Sequence, residues 1–266
     1  MIKTQNFFES LNEYGVDFYT GIPDSLLKDI CSYISDNSPK EKHVIGANEG
    51  GCVSLAIGYH LATRKTPLVY MQNSGFGNII NPLLSLADPK VYSIPMILLI
   101  GWRGEPGVKD EPQHVKQGEV SETLLKTLDI PYVIISDKTS DVDIVISEAV
   151  KHAEVKNTPF AILVRKGTFD PYSLLNKLKT NFELSREEAI IKSTALLSDS
   201  DIIVATTGKT SRELFEYRSR NNQGHQRDFL TVGGMGHANQ IALGIAIAKP
   251  ERNIYCFDGD GAALMH

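Results

Sequence analysis

The stretch HVIGANEGGCVSLAIGYHLATRKTPLVYMQNSGFGN, His43 to Asn78, decides the fold. It opens on one short apolar run, His43–Ala47, and closes on a second, Leu68–Gln72, before a polar turn. Between the runs, Gly50–Arg64 carries a helical pattern. Short apolar runs bounded by Gly, Pro and Asn read as strands, and a longer periodic segment reads as a helix. A strand, a helix and a second strand form a βαβ unit, so the two strands are parallel and joined by a right-handed crossover.

The same alternation extends outward. Further strands are expected at Val16–Thr20, Met96–Gly101, Tyr132–Ile135 and Phe160–Val164. Helices are expected at Ser25–Ser35, Asn78–Ala87, Val115–Leu128 and Ser140–Val155. The strands are near-continuously apolar, as in a parallel sheet covered on both faces. The pattern then stops. Residues 171–185 have no strand signal and read as a linker, while Ser185 followed by Glu188 fits a capping box that opens a new helix. A second alternation follows, with strands at Ile202–Ala205, Phe229–Val232 and Asn253–Phe257 and helices from Ser211 and Ala238. The chain is therefore α/β, with two doubly wound parallel-sheet domains over residues 1–170 and 186–266. The last strand runs into GDGAALMH as a helix should begin, so the second domain is expected to be truncated.

Composition narrows the function. The 266 residues carry 27 basic and 32 acidic side chains, a net charge of −5, with no long basic run. That argues against nucleic acid or an anionic membrane as the partner. Cys31, Cys52 and Cys256 lie far apart, which suggests neither a metal motif nor a disulfide framework and fits a reduced, cytoplasmic setting. The N-terminal segment is amphipathic with no apolar signal core, and no apolar run approaches the length of a membrane span.

The polar residues that follow each strand are the candidate site, because ligands of open α/β sheets bind at the carboxyl ends of strands. In GIPDSLLKD, Asp24 reads as a helix N-cap, a role worth about 1 kcal/mol, or as a site acid. In ANEGGC, Glu49 at a helix start suits the dipole. The two glycines after it weaken a helix unless something approaches closely. In MQNSGFGN the turn can hold a ligand through its backbone N–H groups. KDEPQHVKQGE, Lys109 to Glu119, reads as a long polar loop carrying His114. TTGKTSRE is not a phosphate-binding P-loop, since Ile203 stands where that pattern needs Gly. A Gly208–Lys209 turn can still meet a diphosphate. GGMGHANQIALGIA fails the dinucleotide fingerprint at Asn239. In Asp258-Gly259-Asp260-Gly261, the glycines admit a phosphate and a carboxylate can hold Mg²⁺ against it.

Taken in order, these motifs resemble those of the thiamine-diphosphate-dependent 2-keto-acid decarboxylases, over the whole chain. Asn48-Glu49-Gly50-Gly51 resembles the family's activating-glutamate segment, Gly233-Gly234-Met235-Gly236-His237 the segment beneath the thiazolium ring, and Gly259-Asp260-Gly261 the GDG metal motif. The resemblance implies a pyrimidine-binding domain, a linker, and the first part of a diphosphate-binding domain. It also implies that Glu49 hydrogen-bonds the cofactor's pyrimidine, that the carbonyl of Gly233 receives its amino group, and that Met235 is an apolar wedge. Asp260 would bind Mg²⁺, with Gly259 in the same turn. Gly208, Lys209 and Gly261 would support the diphosphate. Asp24 and His114 are candidates for proton transfer. Ser25, Asn73, Ser74 and Gln117 are candidates for holding the 2-keto acid substrate, and Arg103, Lys109 and Lys116 are nearby cations.

Within the family, GIPDSLLKD, MQNSGFGN and DEPQH look like the phosphonopyruvate decarboxylases, with the sulfopyruvate decarboxylases as near relatives. A homodimer or larger homo-oligomer is implied, since the family's cofactor lies between subunits. The family's metal motif continues to an Asn beyond His266. The alternatives are decarboxylation of sulfopyruvate, or a non-catalytic fragment of the cofactor domains.

Overall fold

A computed structural model describes every residue except 178 and 179, so that part of the 171–185 linker reading lies outside the described residues. The chain divides into two compact units, Met1–Lys177 and Leu178–His266.

The first unit runs α1 (Thr4–Glu13), β1 (Tyr19–Gly21), α2 (Lys28–Asn37), β2 (His43–Ile45), α3 (Glu49–Thr63), β3 (Leu68–Gln72) and α4 (Phe76–Pro82). It continues with β4 (Met96–Gly101), α5 (Pro112–Thr127), β5 (Tyr132–Ile135), α6 (Val142–Lys156) and β6 (Pro159–Val164). The six strands form one sheet in the order β2-β1-β3-β4-β6-β5, and every pair is parallel. Strand β4, MILLIG, is buried at all six positions. Its alternate residues serve opposite faces. Ile97 and Leu99 pack with Phe7, Leu11, Ile30 and Ala149. Met96, Leu98 and Ile100 pack with Val53, Ala56 and Ile79. Burial on both faces is why the strand has no polar alternation.

The register sets the site. Gly21 pairs with both Ile45 and Tyr70, and Gln72 with Gly101. The carboxyl ends of β1 to β4 therefore share one edge of the sheet, and each is followed by one of the motifs above.

Two local expectations are corrected. Asp24 does not cap α2, which begins at Lys28 after a bend, with Leu27 at the N-cap. The Asp24 carboxylate instead accepts from the Leu26 N–H at 3.0 Å, a local turn that competes with helix initiation. Lys109–Glu119 is not all loop, because α5 begins at Pro112. Proline is pre-set for the first helical position, where its missing N–H costs nothing.

The second unit runs α7 (Arg186–Ala195), β7 (Ile202–Ala205), α8 (Lys209–Arg220), β8 (Asp228–Leu230), α9 (Ala238–Ala248), β9 (Ile254–Phe257) and α10 (Asp260–Ala263). Its parallel sheet has the order β8-β7-β9. Ser185 and Glu188 form the capping box of α7, with Glu188 N–H to Ser185 Oγ at 3.3 Å and Ser185 N–H to Glu188 Oε2 at 2.7 Å. Arg218 on α8 makes a bidentate pair with Asp228 on β8, both bonds 3.0 Å, with the two side chains 5% and 0% exposed. No described helix is long and apolar enough to cross a membrane.

Candidate active site

Glu49 is the first residue of α3 and is 5% exposed. Asn48 caps the helix, its Oδ1 accepting from the Gly51 N–H at 2.8 Å. The Glu49 carboxylate is held from the next strand's turn, where Asn78 Nδ2 donates to its Oε2 at 2.7 Å. A Cβ placed on Gly75 would stand 2.7–2.9 Å from Glu49 Cγ, Oε1 and Cδ, and one on Gly50 would stand 2.7 Å from the Asn78 carbonyl. The glycines of ANEGGC and MQNSGFGN thus let two turns close on one carboxylate. A buried carboxylate so fixed can exchange a proton with a heterocycle nitrogen.

Asp24 follows β1 and is 6% exposed. A Cβ on Gly101, the last residue of β4, would meet its Oδ2 at 2.3 Å. Its Oδ1 is buried without a hydrogen-bond partner. Burial raises its pKa, against the opposing pull of the N–H groups of Leu26, Leu27 and Ser25 and of the Arg103 guanidinium. A raised pKa favours the protonated carboxyl, which is the form that can donate a proton. His114 lies in the first turn of α5, half-buried. Burial and then Arg103 lower its pKa, with Asp110 and Glu111 opposing, so its neutral form is favoured.

Asn73 is fully buried. Its Nδ2 donates to the Arg103 carbonyl at 2.8 Å and to Ser121 Oγ at 3.0 Å, and its Oδ1 accepts from the Arg103 N–H at 3.1 Å. It braces β3 to β4, and its side chain is committed to those three bonds. Ser74 is exposed, its hydroxyl accepting from Gln72 at 2.7 Å. Gln117 is half-buried on α5, three residues after His114 and so on the same helix face. Ser25 Oγ accepts from Arg103 Nη1 at 2.9 Å. Asn78 and Asp110 were missed as individual residues, although both sit in motifs the sequence marks out.

In the second unit the three motif turns follow parallel neighbours, β7, β8 and β9. Gly208 caps α8 with φ +91°, a conformation that favours glycine, and both it and Lys209 are exposed. Gly233 is half-buried and Met235 is 42% exposed. A Cβ on Gly261 would stand 3.4 Å from Met235 Cε, so Met235 and the GDG turn are neighbours. Asp260 is exposed at the start of α10, its Oδ1 accepting from the Gly261 N–H at 2.8 Å. Two residues earlier, Asp258 Oδ1 accepts from the Gly259 N–H at 2.9 Å, while its Oδ2 is buried without a partner. A buried carboxylate oxygen left open, an exposed carboxylate and a half-buried glycine between them suit a hard cation bridging to a phosphate. The turns of this unit thus carry donors that would suit a diphosphate with a bound cation.

Comparison with known proteins agrees. Residues 3–125 match the family model "Thiamine pyrophosphate enzyme, N-terminal TPP binding domain", and residues 206–266 match its C-terminal counterpart. The chain is 30% identical to a phosphonopyruvate decarboxylase of Streptomyces viridochromogenes, over 100% of this chain and 68% of that protein. It is 32% identical to one of Streptomyces hygroscopicus, over 100% of this chain and 67% of that protein. It is also 36% identical to the sulfopyruvate decarboxylase subunit alpha of Methanococcus maripaludis, over 53% of this chain and 80% of that subunit. With both cofactor-domain models matched and whole-chain similarity to decarboxylases, the chain belongs to the thiamine-pyrophosphate-dependent decarboxylases, which are carboxy-lyases.

Proposed function

We propose that this protein decarboxylates 3-phosphonopyruvate to phosphonoacetaldehyde and CO₂, with thiamine diphosphate and Mg²⁺, as a step of phosphonate biosynthesis. The observation that carries the chemistry is the buried Glu49 carboxylate, fixed by Asn78 and seated on Gly75 at the carboxyl edge of the sheet. Whole-chain similarity to phosphonopyruvate decarboxylases supports the substrate. The higher identity of a sulfopyruvate decarboxylase alpha subunit, over half of the chain, favours sulfopyruvate as the second reading.

In this reading Glu49 holds the cofactor's aminopyrimidine and exchanges a proton with it. The Gly233 carbonyl takes its amino group, and Met235 supports the thiazolium. Asp260, with Asp258, holds Mg²⁺. Gly208, Lys209, Gly259 and Gly261 surround the diphosphate. When bound, the cofactor supplies the electron sink for the pair released as CO₂ leaves. Asp24, whose burial favours the carboxyl, donates the proton that replaces CO₂. His114, whose environment favours the neutral imidazole, relays protons beside it. Ser25, Ser74 and Gln117 orient the 2-keto acid. The protein acts in the cytoplasm as a homodimer or larger homo-oligomer, which light scattering tests.

The test is aldehyde formation by the intact gene product, with Mg²⁺ and thiamine diphosphate, from phosphonopyruvate and sulfopyruvate in parallel. The expected result is faster release from phosphonopyruvate that stops when EDTA removes the metal. Faster release from sulfopyruvate would move the substrate and keep the chemistry. Release from neither would end the proposal.

A further inference from the structure

Three cations stand near the site in sequence, and the structure separates them. Lys116 is 82% exposed and paired with Glu119 at 3.1 Å, and Lys109 is exposed in the loop. Arg103, two residues beyond the end of β4, has a side chain only 20% exposed. Its Nε donates to Asp110 Oδ2 at 2.8 Å and its Nη2 to Asp110 Oδ1. Asp110 is itself fixed by the N–H groups of Gly104 at 2.9 Å and Glu111 at 2.8 Å. Asn73 clamps the Arg103 main chain from both sides. The guanidinium is thereby oriented before any ligand arrives, which removes the ordering cost of a free long side chain.

A guanidinium carries five N–H donors. The bonds to Asp110 and Ser25 use three. One N–H on each terminal nitrogen remains without a partner among the described residues. Ser25 Oγ accepts from Nη1, so its own proton can still be donated. Three donors therefore remain, beside the buried Asp24 carboxyl with its unpartnered Oδ1. Three donors around one cation match the three oxygens of a phosphonate or sulfonate better than they match a methyl group. Asp110 also offsets the charge of Arg103, so binding relies on directed N–H bonds as well as on attraction.

We propose that Arg103, with the Ser25 hydroxyl beside it, binds the anionic tail on carbon 3 of the substrate and sets the specificity for tailed over untailed 2-keto acids. This rests on the reading of the site as a 2-keto-acid decarboxylase centre.

The test compares kcat/KM of the intact holoenzyme for phosphonopyruvate, sulfopyruvate and pyruvate, which lacks the tail, in wild type and in Arg103→Gln. The ratio of the preferred tailed acid to pyruvate should fall by about 10–100-fold, the scale of charged hydrogen bonds. Arg103→Lys should recover part of that ratio. Equal losses on tailed and untailed acids would make Arg103 a structural brace and overturn the proposal, as would no loss. If Arg103→Gln does not fold, Ser25→Ala, which keeps the Arg103–Asp110 pair, decides by the same ratio. A wild type that prefers pyruvate keeps the decarboxylase reading and overturns this inference alone, whereas one that consumes none of the three removes both together. That result is visible before any variant is made.

Discussion

The two units handle polarity in opposite ways. In the first, the candidate acids are buried and braced: Glu49 is 5% exposed, Asp24 6%, and the bracing Asn73 0%. In the second, Gly208, Lys209 and Asp260 are exposed, and Met235 is 42% exposed. Some strands differ in the same sense. Strand β4 is buried throughout, whereas β8 and β9 have no fully buried residue. The difference suits the chemistry proposed for each half. Proton transfer needs carboxyl groups removed from water and fixed in place. A diphosphate and its metal need turns whose N–H groups and carboxylates face outward.

The contrast can be broken most sharply at its exception. Arg218–Asp228 is a buried ion pair in the second unit, whose motif turns are otherwise mostly exposed. Arg218→Met leaves the buried Asp228 with only the His225 ring, 4.0 Å from its Oδ2, beside it, at a cost of about 3–5 kcal/mol. Far-UV circular dichroism in urea should show early loss of part of the signal. The chain's one tryptophan, Trp102, reports the first unit and should hold its midpoint. A Trp102 transition that moves as far would erase the distinction between the units.

Gly75→Ala tests the bracing of Glu49. The new methyl would meet the Glu49 side chain at 2.7–2.9 Å. Overpacking of this kind costs about 1–3 kcal/mol, and kcat should fall by more than the small loss of fold explains. An alanine variant with unchanged turnover would mean that the position of the carboxylate is not critical.

Asp24→Asn sharpens the comparison with the smallest effect. Burial raises the folded pKa of Asp24, so the folded chain holds that proton more tightly than the unfolded chain. The stability this contributes is fully present below the unfolded value of about 3.9 and is lost as pH rises through the raised folded value. Above that range the raised pKa is a cost to folding, and Asn, which does not ionise, removes it. The variant should gain about 0.5–2 kcal/mol in a thermal melt at pH 7 and lose activity. A destabilised variant at pH 7 would show that the Asp24 carboxylate is held by more than its visible partners.

Much of this was legible in the sequence. β3, β4, β5 and β7 read to the residue, because each is an apolar run bounded by polar or turn residues; β3, β4 and β7 are largely buried, and β5 lies partly buried at the sheet edge. The start of α2 did not, because Asp24 has the look of a cap while its carboxylate turns the chain at Leu26. The start of α5 was obscured because its first turn, Pro112 to Lys116, is as polar as a loop. Motifs located Glu49 and the GDG turn, but not what holds them. Asn78 lies 29 residues from Glu49, and Ser25 lies 78 from Arg103. Only the parallel register brings those pairs together. The bracing role of Asn73 is hidden for the same reason, since its partners are a backbone 30 residues away and Ser121.

The most direct measurement is the turnover of Glu49→Gln on the substrate the wild type prefers, with a thermal melt of the same sample. Glutamine keeps the shape of the side chain but cannot exchange the proton. The account predicts a fall in kcat of about 10²–10⁴-fold with the melting temperature little changed. Near wild-type decarboxylation by a folded Glu49→Gln protein would contradict it.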